Sequence, residues 1–300
     1  MARTDPDARA EELHAARRPF VRAVVVRVER PTSAKPGDRA LILPDGTIEG
    51  FVGGVCAEST VRLQALDLLE SGESTLLRIT PAAAETVKSH EGLTEVANPC
   101  LSGGTVEIFL EAVIPAPLLH VLGDTPVARA LARIGAALDY DVRPTTEPDA
   151  PIAPDAAAVV AASHGRAEEA VLAAALRAGV PYVGLVASRR RGPAVVAALD
   201  ASESDKARLH TPAGLDIGAA GPAEIALSIL AEIIESRPRH RAAKDTPRKD
   251  TPRAATDPVC GMSVAVSAAS LHLEHAGTTW YFCNPTCRQS FAEEPGRFLA

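Results

Sequence analysis

The stretch LLHVLGDTPVARALARIGAAL, residues 118–138, changes its hydrophobic period within a few positions. LLHVL is a near-continuous apolar run of strand length, GDTP is a turn, and in VARALARIGAAL the apolar residues recur at helical spacing. The same succession repeats downstream. DAAAVVAAS (155–163) precedes RAEEAVLAAALRAG (166–179), and VPYVGLVAS (180–188) precedes RRRGPAVVAALDA (189–201). A last helix, PAEIALSILAEIIESR (222–237), carries apolar Ile225, Leu227, Ile229, Leu230 and Ile233. Strands that are apolar on both sides and alternate with helices predict a parallel sheet covered on both faces.

Residues 117–236 are therefore expected to form a Rossmann-like, doubly wound α/β domain. Its first loop departs from the dinucleotide fingerprint G-x-G-x-x-G/A. Gly123-Asp124-Thr125-Pro126-Val127-Ala128 puts Thr125 where a glycine would admit a pyrophosphate, adds the charge of Asp124, and loses a donor at Pro126. The following strand, DYDVRPTT, ends without an acidic residue for a ribose. A nicotinamide-dependent oxidoreductase is thus the alternative reading, not the leading one.

Upstream, RAVVVRVER reads as a strand, PTSAKPG as a loop, and RALIL-PDG-TIEGFV as a hairpin. From about Gly54 a helix follows, with Val61, Ala65, Leu66 and Leu69 at helical spacing. TLLRIT and GGTVEIFLEAV are further strands, the latter with Val106, Ile108 and Leu110 on one face. This makes an α+β domain over residues 18–114, preceded by a flexible lead-in over 1–17.

Composition limits the function. The chain has 300 residues, 46% of them hydrophobic, and a net charge of -7, so no domain-scale basic excess supports nucleic-acid binding. MARTDPDARAEELHAARRPF lacks the apolar core of a signal peptide, and no apolar run is long enough to span a bilayer. A cytoplasmic protein is expected, and its five cysteines fit thiol or metal chemistry better than a disulfide framework. Residues 237–256 form a linker: the repeat KDTPRKDTPR and a basic excess disfavour a core.

Two cysteines sit beside paired glycines. FVGGVCAES (51–59) places Gly53 and Gly54 ahead of Cys56 at a strand-to-helix junction, and NPCLSGGTVEIF (98–109) places Cys100 ahead of Gly103 and Gly104. A helix N-terminus with bare amides lowers a thiol's pKa and binds anions. Glu58 works against it. The two segments together predict a two-thiol site for an anionic or soft-metal-bearing ligand. In SRRRG (188–192), Ser188 is expected to cap a helix whose first turn holds Arg189, Arg190 and Arg191, cations that oppose the helix dipole and so imply a bound anion. Lys35 and Arg39 are weaker candidates of that type. His164, just past the carboxyl end of a strand, stands where open α/β sheets bind ligands, and His210 is a similar, weaker case.

Residues 257–300 differ in kind, holding three of the five cysteines and five of the ten aromatics. A unit this small commonly recruits a metal. Pro285 suits a first helical position after an Asn284 cap, which puts Cys287 in the first turn and Phe291 one turn later. Cys283, Cys287 and Cys260 predict a three-thiolate site. His272, His275 and Asp257 are candidates for the fourth ligand, and His275 is the one assigned. Sulfur ligands favour zinc or copper(I), and copper(I) accepts three-coordination more readily. A separate metal-binding mini-domain is expected, and a thiol-based metal sensor is the third reading.

Two resemblances add to this. DPVCGM, the aromatic run into Cys283, Cys287 and EEPGRFL resemble a YHS domain, with Asn284 in place of a small serine. RPTSAKPGDRALILPDGTIEGFVGGVCAE, NPCLSGGTVEIFLE, VPYVGLVASRRR and HTPAGLDIGAAGPAEIALSILAEI resemble the XdhC/CoxI family over about residues 21–236. That resemblance implies a non-catalytic chaperone that binds molybdenum cofactor (molybdopterin) as cargo. It would protect the cofactor during sulfuration and hand it to an apo molybdenum hydroxylase of the xanthine dehydrogenase or aerobic carbon monoxide dehydrogenase type. Cys56 and Cys100 map onto the family's glycine-flanked cysteines, and the two domains would hold the cofactor together. The resemblance admits a cysteine desulfurase as a partner and a homodimer as the assembly. The molybdenum–copper centre of carbon monoxide dehydrogenase makes copper, more than zinc, the expected metal of the tail.

Overall fold

The computed structural model describes residues 5–82, 85–98, 104–237 and 254–299. It divides into two compact units, Met1–Pro115 with His240–Ala300, and Ala116–Arg239.

The first unit opens with a helix, α1 (Pro6–Ala15), where the sequence reading expected a flexible lead-in. Asp5 caps it by accepting from the Asp7 amide, and Pro6 supplies the preset φ of a first helical position. Only Ala10 and Leu13 are buried, against Phe20, Leu41 and Leu43. Two inward residues are too few to show as a periodic signal.

A seven-stranded sheet follows. Its elements are β1 (Phe20–Glu29), β2 (Arg39–Ile42), β3 (Ile48–Gly50), helix α2 (Val55–Ser71), β4 (Thr75–Pro81), β5 (Thr86–His90), β6 (Leu93–Asn98) and β7 (Thr105–Val113). The spatial order is β3-β2-β1-β7-β4-β6-β5, and β4–β6 is the one parallel pair among these. On α2, Val61, Ala65 and Leu68 pack in one core with Val21, Val25, Leu77, Ile108 and Leu110. Removing such side chains from water contributes roughly 1.5–3 kcal/mol each. Val106, Ile108 and Leu110 point inward by strand alternation. Strands β5 and β6 were not foreseen: β5 is exposed at every position, and β6 buries Thr94 and Asn98 beside Val96, so neither shows an apolar rhythm.

The second unit comprises β8 (Leu118–Leu122), α3 (Pro126–Ala137), β9 (Asp141–Thr145), β10 (Ala156–Ala161), α4 (Glu168–Arg177), β11 (Tyr182–Leu185), α5 (Gly192–Ala198), α6 (Glu203–Lys206), β12 (Leu209–His210) and α7 (Pro222–Ser236). The sheet is parallel, ordered β12-β11-β10-β8-β9. One apolar cluster joins α3 and α7 to one face and a second joins α4 and α5 to the other. The expected doubly wound fold is present. Strand order reverses between β8 and β10, the topological switch point of such sheets.

The tail holds β13 (Ala254–Thr256) paired with β14 (Ser263–Ala265), the hairpin β15 (Leu271–His275) and β16 (Thr278–Phe282), and helices α8 (Pro285–Glu293) and α9 (Pro295–Phe298). Met262, Val264, Phe282 and Phe291 form its core with Cys283 and Cys287. It belongs to the first unit rather than standing separately. The Ser263 amide donates to Glu85 Oε2 at 2.6 Å, and a Cβ on Gly46 would lie 2.6 Å from Ser267 Oγ. Some 45 residues bury too little apolar area alone, and the neighbouring sheet domain supplies the rest. No helix among the described residues is long and apolar enough to cross a membrane.

Candidate functional site

The FVGGVC segment forms the turn its glycines require. Gly53 has φ +143°, and Gly54 is the N-cap of α2 with no side chain to cap the helix. The helix start therefore carries its partial positive charge with no N-cap side chain over it. Cys56 sits in that turn, half-buried. Gly54 and Cys56 line a cavity of about 200 Å³ together with Thr32, Ser33, Asn98 and Gly104. A Cβ on Gly104 would overlap the Pro31 carbonyl oxygen, so only glycine lets that strand start approach the PTSAKPG loop. Asn98 Nδ2 donates to Thr60 Oγ1 at 3.4 Å, and Thr60 Oγ1 donates to the Cys56 carbonyl at 3.2 Å. The ends of the two glycine–cysteine segments thus converge on one cavity. Cys100 and Gly103 lie outside the described residues. Burial raises the pKa of Glu58, with Arg62 opposing. Lys35 is exposed on its loop, its amide donating to Asp38 Oδ2 at 2.7 Å, and is not among the cavity's lining residues.

In the tail, Cys260, Cys283, Cys287 and Asp257 place their ligand atoms within 4.8 Å of one another. The sulfur separations are 3.5 Å for Cys260–Cys283 and 3.9 Å for Cys283–Cys287. Tetrahedral zinc–sulfur bonds of about 2.3 Å require an edge of about 3.8 Å, so these residues fit a thiophilic cation. Asn284 caps α8 through Oδ1, accepting from the Cys287 amide at 2.9 Å. Its Nδ2 donates to Cys283 Sγ at 3.1 Å and Cys287 Sγ at 3.3 Å. The Cys283 hydrogen bond lowers the Cys260 pKa against the effect of burial. Hydrogen bonding of its own thiol toward Cys260 and Cys56, then burial, raises that of Cys283. Burial, then the charge of Asp257, pushes Cys287 up to about 12. A bound cation reverses this balance, because it stabilises the thiolates directly.

His275 is not in this group. Its ring meets Phe291 edge-on at 5.9 Å, and it is not among the residues whose ligand atoms gather there. His272 Nδ1 lies 2.9 Å from the Ser270 carbonyl. The fourth member is Asp257, fully buried, whose Oδ1 accepts from the Val259 amide at 2.9 Å. That Asx-turn was legible in the Asp-Pro pair.

At the carboxyl end of the parallel sheet, the first helix start is already occupied by its own side chain. Thr125 Oγ1 donates to the Ala162 carbonyl at 2.8 Å and accepts from the Ala128 amide at 3.2 Å. His164 (φ +57°) is exposed just past β10, as its sequence position implies. The arginines require a correction. Helix α5 begins at Gly192, so SRRRG is a turn ahead of it and the three cations are not in its first turn. Pro193, suited only to a helix start, fixes that boundary. Ser188 caps the turn, accepting from the Arg191 amide at 3.2 Å. Arg191 pairs with Glu168 at 2.6 Å and also donates to the Val186 carbonyl. Arg189 pairs with Asp216 at 2.7 Å, and Arg190 is exposed. The sequence reading missed Glu168, which carries no local signal beyond suiting a helix first turn. His210 joins a second, partly buried network, with Nδ1 3.0 Å from Glu232 Oε1 and Tyr182 OH donating to Glu232 Oε2 at 2.6 Å.

Comparison with known proteins places these parts. Residues 119–233 match the XdhC Rossmann domain, 13–80 the XdhC and CoxI family, and 255–300 the YHS domain. The uncharacterized protein YqeB of Escherichia coli K12 is 29% identical over 245 residues, 72% of this chain and 43% of that protein. A probable xanthine dehydrogenase subunit from Bacillus subtilis 168 is 28% identical over 160 residues, 45% of this chain and 47% of that protein. The chain thus spans less than half the length of these curated relatives. A solved xanthine dehydrogenase from Bacillus halodurans is 18% identical, with a TM-score of 0.36, covering 80% of this chain and 98% of that one. The glycine-flanked Cys56 turn, the parallel α/β unit and the three-cysteine tail each fall within one of these matches, and the chain belongs to the XdhC/CoxI family with a C-terminal YHS domain.

Proposed function

We propose that the chain is a maturation factor for a xanthine dehydrogenase-type molybdenum hydroxylase, with molybdenum cofactor as its cargo. The observation that carries this reading is the convergence of Gly54, Cys56, Asn98 and Gly104 on one cavity. A volume of about 200 Å³ is below the roughly 300–1,000 Å³ of sites that enclose a whole ligand. It suits the metal–dithiolene end of the cofactor, with the pterin outside. Cys56 offers a soft ligand and the uncapped start of α2 offers amide donors to negative charge.

The tail is read as a metal centre in which Cys260, Cys283 and Cys287 hold copper(I) or zinc(II), and Asn284 stabilises the thiolate charge. The metal, when bound, supplies a soft Lewis acid. Purification from a molybdenum-replete host, followed by identification of bound pterin and metals, tests both parts. Pterin and molybdenum that co-elute with the protein, and are lost in Cys56→Ala, are the expected result. A pterin-free wild-type chain refutes the cargo.

A further inference from the structure

Cys56 faces two ways. It lines the cavity of the sheet domain, and it packs against the tail core of Met262, Phe282, Cys283, Cys287 and Phe291. That core includes two of the three tail cysteines, and Cys56 packs against it from outside the group whose ligand atoms all lie within 4.8 Å of one another. The contact is held in place by the Ser263–Glu85 hydrogen bond at 2.6 Å and by the close approach of Ser267 to Gly46.

Asp257 completes the tail group by distance but is poorly placed to donate. Its Oδ1 accepts from the Val259 amide at 2.9 Å and its Oδ2 from the Cys283 amide at 2.8 Å. Each oxygen thus already accepts one backbone amide at the cysteine turns, and a soft cation prefers sulfur to carboxylate. Three sulfurs leave one tetrahedral position open. We infer that Cys56 is the fourth sulfur ligand of the tail's metal centre, contributed by the sheet domain. Asp257 is a positioning residue.

Coordination replaces the S–H bond of Cys56 with an S–metal bond. The proton passes to solvent at the half-exposed side of the residue, and the metal keeps its oxidation state. The uncapped N-terminus of α2 favours the thiolate that results. One sulfur then serves both the metal centre and the cavity, so metal bound in the tail is in thiolate contact with the site where the cargo is proposed to sit. The assignment rests on the metal reading of the tail and not on the cargo.

The test is an anaerobic titration of the full, reduced chain with Co(II) and then Zn(II). It is read by sulfur-to-cobalt charge-transfer absorbance and by competition with a chromophoric chelator. Cys56→Ala and Cys56→Ser should each lose about a quarter of the charge-transfer intensity, one sulfur in four. Each should also bind Zn(II) roughly tenfold or more weakly, with circular dichroism unchanged. In the wild-type chain, which needs no substitution to be compared, saturating Zn(II) should slow alkylation of Cys56 together with the three tail cysteines. Unchanged absorbance and affinity in both variants, or undiminished alkylation of Cys56, overturns the assignment and leaves a three-cysteine centre standing. A wild-type chain that takes up neither ion overturns the metal reading and this inference together.

Discussion

Arg191 Nη1 lies 2.6 Å from Glu168 Oε2, and the Glu168 side chain has no exposure to solvent. The carboxylate also accepts from the Gly165 amide at 2.8 Å, and Ser163 Oγ lies 3.0 Å from it. The pair therefore fastens the loop after β10, which carries His164, to the turn ahead of α5. Arg191→Leu leaves a buried charge without its partner and should cost about 3 kcal/mol, the lower end for a broken buried pair because the guanidinium is partly exposed. Arg190→Leu should stay within about 0.5 kcal/mol. Urea denaturation of the two variants checks the contrast.

The same carboxylate makes stability depend on pH. Burial alone would raise the Glu168 pKa, but hydrogen bonds from Arg191, Gly165 and Ser163 outweigh it and hold the value below 4.5. A depressed folded pKa means a contribution fully present above the unfolded value, and lost as pH falls from about 4.5 through the folded value. Glu232 behaves alike, held down by Tyr182, Gly214 and His210. Urea midpoints between pH 7 and pH 3 should fall in acid, and Glu168→Gln should flatten that fall while lowering stability at pH 7.

Gly104 and Gly54 border the same cavity but tolerate change differently. A Cβ on Gly104 would overlap backbone at Pro31, whereas one on Gly54 would find its nearest neighbour, Ser33 Oγ, 4.0 Å away. Gly54 also has an ordinary φ of -73°. Gly104→Ala should destabilise by roughly 1–3 kcal/mol and reduce cofactor retention. Gly54→Ala should melt near the wild-type temperature, as differential scanning calorimetry would show.

Asn284 serves two purposes that one substitution separates. Asn284→Asp keeps the oxygen that caps α8 but replaces the amide that donates to Cys283 and Cys287 with a negative oxygen. Thermal stability of the apo protein should therefore hold, while zinc affinity, measured against a chelator, falls roughly 10- to 100-fold. Asn284→Ala should lose both, with about 1 kcal/mol from the missing cap.

Local sequence determined the parts of this protein. Alternating apolar strands and helices over residues 118–237 specified a two-faced parallel sheet, because only burial on both sides accounts for strands such as β8 with every residue covered. The Gly53-Gly54 pair specified the turn into α2, and Asn284-Pro285 specified the start of α8, since caps and preset φ values act within a few residues. What depends on distant partners was not legible. Helix α1 buries two residues against strands that begin later in the chain, and β5 and β6 exist because β4 offers β6 an edge and β6 in turn offers one to β5. The arginines of SRRRG looked like an anion site until Glu168, 23 positions away, proved to neutralise one of them.

Sequence alone also identified the sulfurs of the tail, because cysteine spacing sets what a short segment can coordinate. It could not show that Cys56 would pack against the core that holds Cys283, more than two hundred residues away. That meeting is a product of packing: a tail with too small a core to stand alone covers itself on the nearest apolar face, and α2 presents Cys56 there.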